Sequence, residues 1–537
     1  MALDVDVLVI GSGSAAMSAA LRALVGGLKV TVIEKSDYLG GTSAMSGAGI
    51  WVPANHLARA QGIPDSREEA LEYVRAASPP TWHEEEDHLW RAFVEHAPNA
   101  LEFIEEHSPL ELELVSEPDV MAELPGGKVK GRMVSTKPLS RKLLGKFARK
   151  LRPSTLPNWF TYQEQLTYDA WHHPLRIVLN IWPRLIYRFL TGSRAMGAAL
   201  MTALIRGCQD RDCEFLLNAR ARKLVCDQSG RVTGALVEVG GETREINARR
   251  GVVIASGGFE WDPELRERHF PGPIDRLGSP WSNEGDGQKM AAEVGAKLDR
   301  MDQANIFPCV PTRYDGKPLG LPKTFQAERH SVVIDGTGRR FVSETNFNIG
   351  EVMDARDPTT GQPLHQPIWL IGDARYYRAS PLFAWYSRYE KDWVKSANTI
   401  SDLARKIGIP ADRLSATIDR FNSMSDKGRD DDFHRGEIAF ENYKARGAKN
   451  PLGRIERAPF YAVSFNRSIL GTKGGARTNE HGQVLRPDGS IIAGLYAAGL
   501  SMANPIGTRA IGAGTTIGPN LTWGYICAEA ILKQNRT

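Results

Sequence analysis

Apolar and polar positions along the chain change period several times, and each change predicts an element. Val5 to Ile10 is a continuous β-branched run of the kind found in a strand buried on both faces. Gly11 to Ala16 supplies a turn, Ala15 to Val25 has helical composition, and Lys29 to Glu34 predicts the next strand. Together they form a βαβ unit of about thirty residues. Residues 65 to 107, rich in Glu, Ala, Leu and Arg, predict helices, whereas 108 to 160 carry many Pro, Gly and Lys residues and predict an irregular excursion. A β-rich block spans Glu214 to Val239, with Gly230 and Gly240-Gly241 at hairpin turns. Gly251 to Gly258 is another buried strand closing on small residues. Residues 305 to 457 mix helix and strand, with turns at Asp335-Gly336 and Pro358 to Gln362. From Pro459 strands and glycine turns return, and Pro519 to Lys533 is helix-like. The expected fold class is therefore α/β. A Rossmann-type dinucleotide domain is formed by both termini (1–304, with a helical excursion at about 65–200, and 458–537), and an α+β substrate domain is inserted at 305–457.

Size and charge narrow the class. A chain of 537 residues with 42% hydrophobic and 24% charged residues has the composition of an ordinary globular protein with room for two or more cores. A net charge of +4 gives no support to nucleic-acid binding. Cys208, Cys213, Cys226, Cys309 and Cys527 form no CxxC pair and no metal-ligand spacing, which fits reduced thiols in the cytoplasm, and no metal is expected. His172 and His173, being adjacent, point apart on a helix and make a poor metal pair. The first residues lack the basic opening of a signal peptide, and no apolar stretch reaches spanning length. Trp171 to Leu204 comes nearest, with Arg176, Arg184, Arg188 and Arg194 set among Ile, Leu, Trp, Tyr and Phe. It reads as a core or interdomain helix, or as an amphipathic one in peripheral contact with a membrane.

The chemistry begins at Gly11-Ser12-Gly13-Ser14-Ala15-Ala16, a G-x-G-x-x-A fingerprint placed after a strand and before a helix. The first glycine allows the tight turn, the second lets backbone approach a pyrophosphate, and the small third residue allows close helix–strand packing. The helix N-terminus offers N–H groups and a positive dipole end to the phosphates. Glu34 stands at the spacing of a carboxylate that binds a ribose hydroxyl, with Lys35 beside it. Gly40-Gly41-Thr42-Ser43 and Gly47-Ala48-Gly49 let a flat ring lie against backbone. Ala221, Ala255, Ser256, Gly257 and Asp286 are further cofactor candidates. At the far end stand Gly494 to Gly499 and Gly512-Ala513-Gly514-Thr515-Thr516-Ile517-Gly518. Gly499 would close on the cofactor, and the helix entered through Thr515, Thr516 and Ile517 would aim its dipole at an anionic reduced flavin. Two glycine-rich loops so far apart in sequence suit one large cofactor, FAD, better than a nicotinamide.

These pieces together resemble the 3-ketosteroid dehydrogenases, within the fumarate reductase/succinate dehydrogenase flavoprotein group. The resemblance rests on residues 40–53 (Gly40-Gly41-Thr42-Ser43 to Trp51-Val52-Pro53), on Asp335 to Glu344, on Leu470-Gly471-Thr472-Lys473-Gly474-Gly475 and on both C-terminal glycine runs. It implies non-covalent FAD, since no histidine stands in the 40–50 loop where covalently flavinylated relatives attach theirs. It also implies desaturation beside a ketone: hydride passes to flavin N5, the α proton passes to a base, and the substrate is a small hydrophobic cyclic ketone, steroid or smaller. Electrons then leave to a quinone or another acceptor. In the family, tyrosines and a backbone N–H from the C-terminal turn polarise the ketone and take the proton. Gly514 falls on that glycine.

The tyrosines do not carry over. Their positions fall on Ala510, on Asn348 and on Val120 or Met121. Arg509, beside Ala510, offers a planar fork for a carboxylate or a ketone oxygen. With Arg509 as a carboxylate clamp, the alternative activity is reduction of an unsaturated acid or enone. Candidate bases are Tyr162, Tyr168, Tyr314, Tyr386 and Tyr461, Tyr314 and Tyr461 foremost, while Tyr496 belongs to a buried strand. Asn348 can hydrogen-bond a carbonyl but cannot act as a base.

Overall fold

The computed structural model describes residues 3–445 and 450–534. Its largest sheet has eight strands and draws on both ends of the chain. The strand Leu3–Ile10 lies parallel between Glu242–Ile254 (Leu8 opposite Val252) and Val30–Glu34 (Val9 opposite Val32). Ile491–Ala497 adds in parallel on the far side of Glu242–Ile254, Val253 facing Tyr496. Glu214–Leu217 extends the sheet beyond Val30–Glu34. An antiparallel hairpin, Ala219–Cys226 with Val232–Val239, branches from Glu242–Ile254. Leu8, Val9, Val252 and Val253 are fully buried, as the unbroken apolar runs require of parallel strands covered on both faces. The helices Ser14–Val25 and Ile517–Lys533 pack on one another, and the Ser18 hydroxyl donates to the Leu521 carbonyl at 2.6 Å.

A second sheet is antiparallel, in the order Ser331–Ile334, Trp369–Gly372, Phe460–Ser464, Val394–Ala397. Its side chains alternate between two apolar clusters. Val333, Leu370 and Val463 face Phe383 and Trp393, while Val332, Ile334 and Ala462 face Leu403, Leu414 and Phe421. The period-2 pattern thus buries both faces. Phe460–Ser464 pairs inside this sheet, so the layer runs past residue 457, where the sequence pattern alone placed its end. A separate three-stranded sheet is made of Ile274–Leu277, Arg467–Thr472 and Ala304–Ile306.

The helical excursion contains Arg67–Ala77, opened by a Ser66–Glu69 capping box, the long helix His83–His107, and the buried helix Met196–Gln209. Residues 108–160 are more ordered than their Pro and Gly content suggests. Met133–Thr136 pairs with both Leu112–Leu114 and Gly49–Trp51, which ties this stretch to the 40–53 segment. Among the described residues no helix is long and apolar enough to cross a membrane.

Candidate active site

One deep cavity runs along the C-terminal edge of the large sheet, between the two glycine-rich ends of the chain. At one end the strand Leu3–Ile10 delivers Gly11, Ser12 and Gly13 to the start of the helix Ser14–Val25. Gly11 has φ +108°, and a Cβ there would meet the Ala255 carbonyl oxygen at 2.3 Å, so only glycine fits. The helix starts at Gly13 with no side-chain cap and no acid in its first turn, leaving it open to an anion. Glu34 ends its strand on the cavity, its carboxylate accepting from Ser12 Oγ at 2.6 Å and from the Ser36 N–H at 3.0 Å.

The far end is built from backbone. Gly514 has φ +89°, and a Cβ on it would lie 2.6 Å from the Gly49 carbonyl carbon. Its carbonyl accepts from the Trp51 N–H at 3.3 Å, while its own N–H donates to no protein acceptor among the described residues. Trp51 is pinned by Asp119, which accepts from the indole N–H at 2.7 Å; burial pushes the Asp119 carboxyl up to about 6. The Tyr73 hydroxyl donates to the Ile511 carbonyl at 2.6 Å and the Trp90 indole to that of Pro505 at 2.9 Å, so the helical excursion buttresses the glycine turn. The helix Ile517–Lys533 starts without a side-chain cap or an acid in its first turn, and Thr515, Thr516 and Ile517 line the cavity. A second positive helix end therefore opens on the same space.

This lining fits FAD. One open helix N-terminus suits the pyrophosphate, a carboxylate suits a ribose, and the second helix end suits a ring that gains negative charge on reduction. Asn520 Oδ1, buried without a hydrogen-bond partner, is on a residue of the lining and would be satisfied by a ring N–H.

Most sequence-predicted cofactor residues meet here. Gly11, Gly13, Ser14, Ala15, Glu34, Lys35, Gly41, Thr42, Ser43, Gly47, Ala48 and Gly49 line the cavity from the N-terminal side. Ala221, Ala255, Ser256, Gly257, Asp286 and Gly499 do so from the strands beyond. Ala16 and Gly40 stand behind the lining, Ala16 packed in the core and the Gly40 N–H donating to Ser12 Oγ at 3.0 Å. Asp286 is held by Lys35 (2.9 Å) and Arg220 (2.7 Å). Burial would raise its carboxyl, but the two cations hold it below the ordinary range.

The proposed catalytic side chains fare differently. Of Gly514, Arg509, Asn348, Tyr314 and Tyr461 only Gly514 lines the cavity, and of the other candidate bases Tyr162 does while Tyr168 and Tyr386 do not. Arg509 is engaged by Glu351 through a bidentate pair at 2.8 to 3.1 Å, so its fork is already filled. Asn348 exchanges two bonds with the Ala510 backbone, accepting from the N–H at 2.8 Å and donating to the carbonyl at 3.0 Å, which spends the amide on the turn. Tyr461 faces Gly372 in the second sheet and stacks on Tyr377 with centroids 4.3 Å apart. Tyr314 is buried against Trp281 at 5.3 Å, packed with Met45 and Leu319. Ala510 does line the cavity, with a methyl where the resembling family has a phenol.

Lys473 and Phe347 are among the lining residues not singled out for a role by sequence reasoning. Lys473 is buried and donates to the Ile506 and Gly507 carbonyls at 3.0 and 2.7 Å; with no carboxylate partner among the described residues, burial pushes its ammonium down to about 7. The signal was a lone lysine among the small and apolar residues 470–476. Phe347, one position before Asn348, is an aromatic residue of the lining.

The FAD binding domain family matches residues 6–517. The chain belongs to that family. As one of its members it is similar to the 3-oxosteroid 1-dehydrogenase of Mycolicibacterium smegmatis, 34% identical over 98% of this chain and 96% of that one. It is 35% identical to the 4-oxocyclohexanecarboxylate 2-dehydrogenase of Sinomonas cyclohexanicum, over 98% of this chain and 93% of the relative. Among solved structures, the 3-ketosteroid delta1-dehydrogenase of Sterolibacterium denitrificans, in complex with 1,4-androstadiene-3,17-dione, superposes with a TM-score of 0.89 at 30% identity. The match covers 99% of this chain and all of that one. A flavocytochrome c3 fumarate reductase in an open conformation shares the fold, with a TM-score of 0.64 at 22% identity, over 99% of this chain and 78% of that one.

Proposed function

We propose that this FAD-dependent dehydrogenase introduces a carbon–carbon double bond next to a ketone in a hydrophobic cyclic substrate, a 3-ketosteroid or a smaller ring. The observation that carries the reading is the Gly514 N–H, which donates to no protein acceptor among the described residues, on a cavity whose lining includes the apolar Met133, Leu156, Phe307, Phe347, Leu470 and Leu500. An N–H aimed at a ketone oxygen stabilises the enolate character that develops when the α proton leaves. Bound FAD supplies the hydride acceptor at its N5, and a quinone or another acceptor reoxidises it. The absence of histidine between residues 40 and 50 supports non-covalent attachment. The terminal segments 1–304 and 458–537 would form the FAD-binding unit, except for the strand Phe460–Ser464, which joins 305–457 on the substrate side.

Arg509 does not support the reductase alternative, because Glu351 already occupies its guanidinium and the apolar lining suits a neutral ring. Peripheral membrane contact is supported by the helix Pro174–Thr191. Leu175, Leu179, Trp182, Tyr187, Phe189 and Leu190 are exposed on it, it carries no acid, and Arg176 and Arg184 flank the apolar ridge. Flotation with anionic vesicles tests that contact: the wild type co-floats, and a variant with Leu179, Trp182 and Phe189 changed to Ser stays in the dense fraction. The activity is tested by mixing oxidised holoenzyme anaerobically with a panel of steroid and monocyclic ketones. Bleaching of the flavin by at least one supports the reading; none doing so refutes it.

A further inference from the structure

We propose that Tyr162, backed by Glu117, takes the α proton of the ketone and passes its own proton outward; the proposal rests on the dehydrogenase reading above. The three places where the resembling family has tyrosines are closed to this task. Ala510 has no polar side chain, and the Asn348 amide is spent on the Ala510 backbone. Val120 is buried in the core, and the Met121 backbone N–H donates to Tyr73. Among the five tyrosines that stand elsewhere as candidate bases, Tyr162 is the one on the cavity lining.

Its placement is tightly determined. Tyr162 opens a helix capped by Thr161 and Glu164, and Glu164 is fixed by Arg188 at 2.7 Å. Its ring lies against Gly47, where a Cβ would be 3.4 Å from the ring, while Gly514 packs on Gly49. Two residues of chain span at most about 7 Å, so the Tyr162 ring and Gly514 lie against the two ends of one short peptide. The phenol donates to Glu117 Oε2 at 2.9 Å. Glu117 is 2% exposed, and its other oxygen is paired with the Lys444 ammonium, whose side chain is 30% exposed. The series Tyr162, Glu117, Lys444 thus runs from the cavity to solvent.

Burial and the Glu117 charge both raise the Tyr162 pKa, so the phenol rests protonated and cannot serve as a standing phenolate. A relay removes that difficulty. The α C–H bond breaks and its proton goes to Tyr162 Oη as the phenolic proton crosses to Glu117 Oε2. The C–H electron pair moves toward the ketone oxygen held by Gly514 and then into the new double bond as the β hydrogen leaves as hydride to FAD. The substrate loses one proton and one hydride; the proton ends on Glu117 and the hydride on the cofactor.

The test uses holoenzyme under anaerobic stopped flow, with a cyclic ketone that bleaches the wild type, unlabelled or deuterated at the α or the β carbon. Tyr162→Phe should keep the visible FAD spectrum and the substrate Kd and reduce the flavin about 10²–10⁴-fold more slowly. Glu117→Gln should also slow reduction and should enlarge the α-deuterium isotope effect while leaving the β effect no larger. A packing role would move the two isotope effects together. Reduction by Tyr162→Phe at the wild-type rate, or equal changes in both isotope effects in Glu117→Gln, overturns the relay alone. A wild-type flavin that no cyclic ketone bleaches removes the dehydrogenase reading and the relay with it.

Discussion

The two halves of the cavity are made of different material. One half is built on backbone: Gly11, Gly13, Gly41, Gly47, Gly49 and Gly514, with two helix ends that no side chain caps. The other is built on side chains, among them Ala510, Phe347, Tyr162 and Lys473. Backbone sites require glycine at fixed spacing, because a Cβ would occupy the space that another main chain or a phosphate needs. Side-chain sites can move a phenol from one loop to another while the fold stays the same. The contrast teaches that main-chain sterics set one part of this lining and side-chain packing the other.

The largest expected effect lies in the backbone half. Gly11→Ala puts a methyl 2.3 Å from the Ala255 carbonyl oxygen at φ +108°, a cost on the order of 4 kcal/mol. The purified variant should be colourless; a yellow protein with wild-type FAD content would break the contrast. Gly514→Ala comes next. Its Cβ would sit 2.6 Å from the Gly49 carbonyl carbon, displacing the N–H from the ketone while the pyrophosphate end is untouched. FAD content should hold and flavin reduction fall by about 10²–10³-fold.

A smaller effect tests the tie between the helical cover and the second sheet's layer. His172 lies 2.7 Å from both Asp169 and Glu328. Burial alone would lower its pKa, but the hydrogen bonds to the two carboxylates override it and raise it to about 10. Its folded value lies above the unfolded one, so its stabilisation is complete below about pH 6.5 and is lost as pH climbs through about 10. The Tm gap between wild type and His172→Phe should therefore be widest near pH 6 and close toward pH 10. The smallest effect belongs to Arg509→Met: its pair with Glu351 is about a third exposed, so stability should fall by no more than about 1 kcal/mol. Bleaching by neutral ketones should stay within about threefold of wild type; selective loss with acidic substrates would revive the carboxylate clamp.

The same contrast explains what was legible beforehand. The βαβ opening, Glu34 and the two distant glycine runs all announce themselves, because each reflects a steric demand on the main chain. The strand Phe460–Ser464 looked like the return of the terminal unit, since only its partners Trp369–Gly372 and Val394–Ala397 assign it to the second sheet. Arg509 looked free because Glu351, nearly 160 positions earlier, is invisible as a partner until the chain folds. Tyr162 could not be told from Tyr461 in sequence. One opens a capped helix beside Gly47 and the other stacks on Tyr377, a difference made wholly by tertiary packing.

The most direct test of the central claim is the anaerobic absorbance of the oxidised holoenzyme near 450 nm on mixing with cyclic ketones. The account predicts that a neutral hydrophobic ring ketone bleaches the flavin and leaves as the product with a new double bond next to its carbonyl. A flavin that stays yellow with every such ketone, or that is bleached only by substrates lacking a ketone, would contradict it.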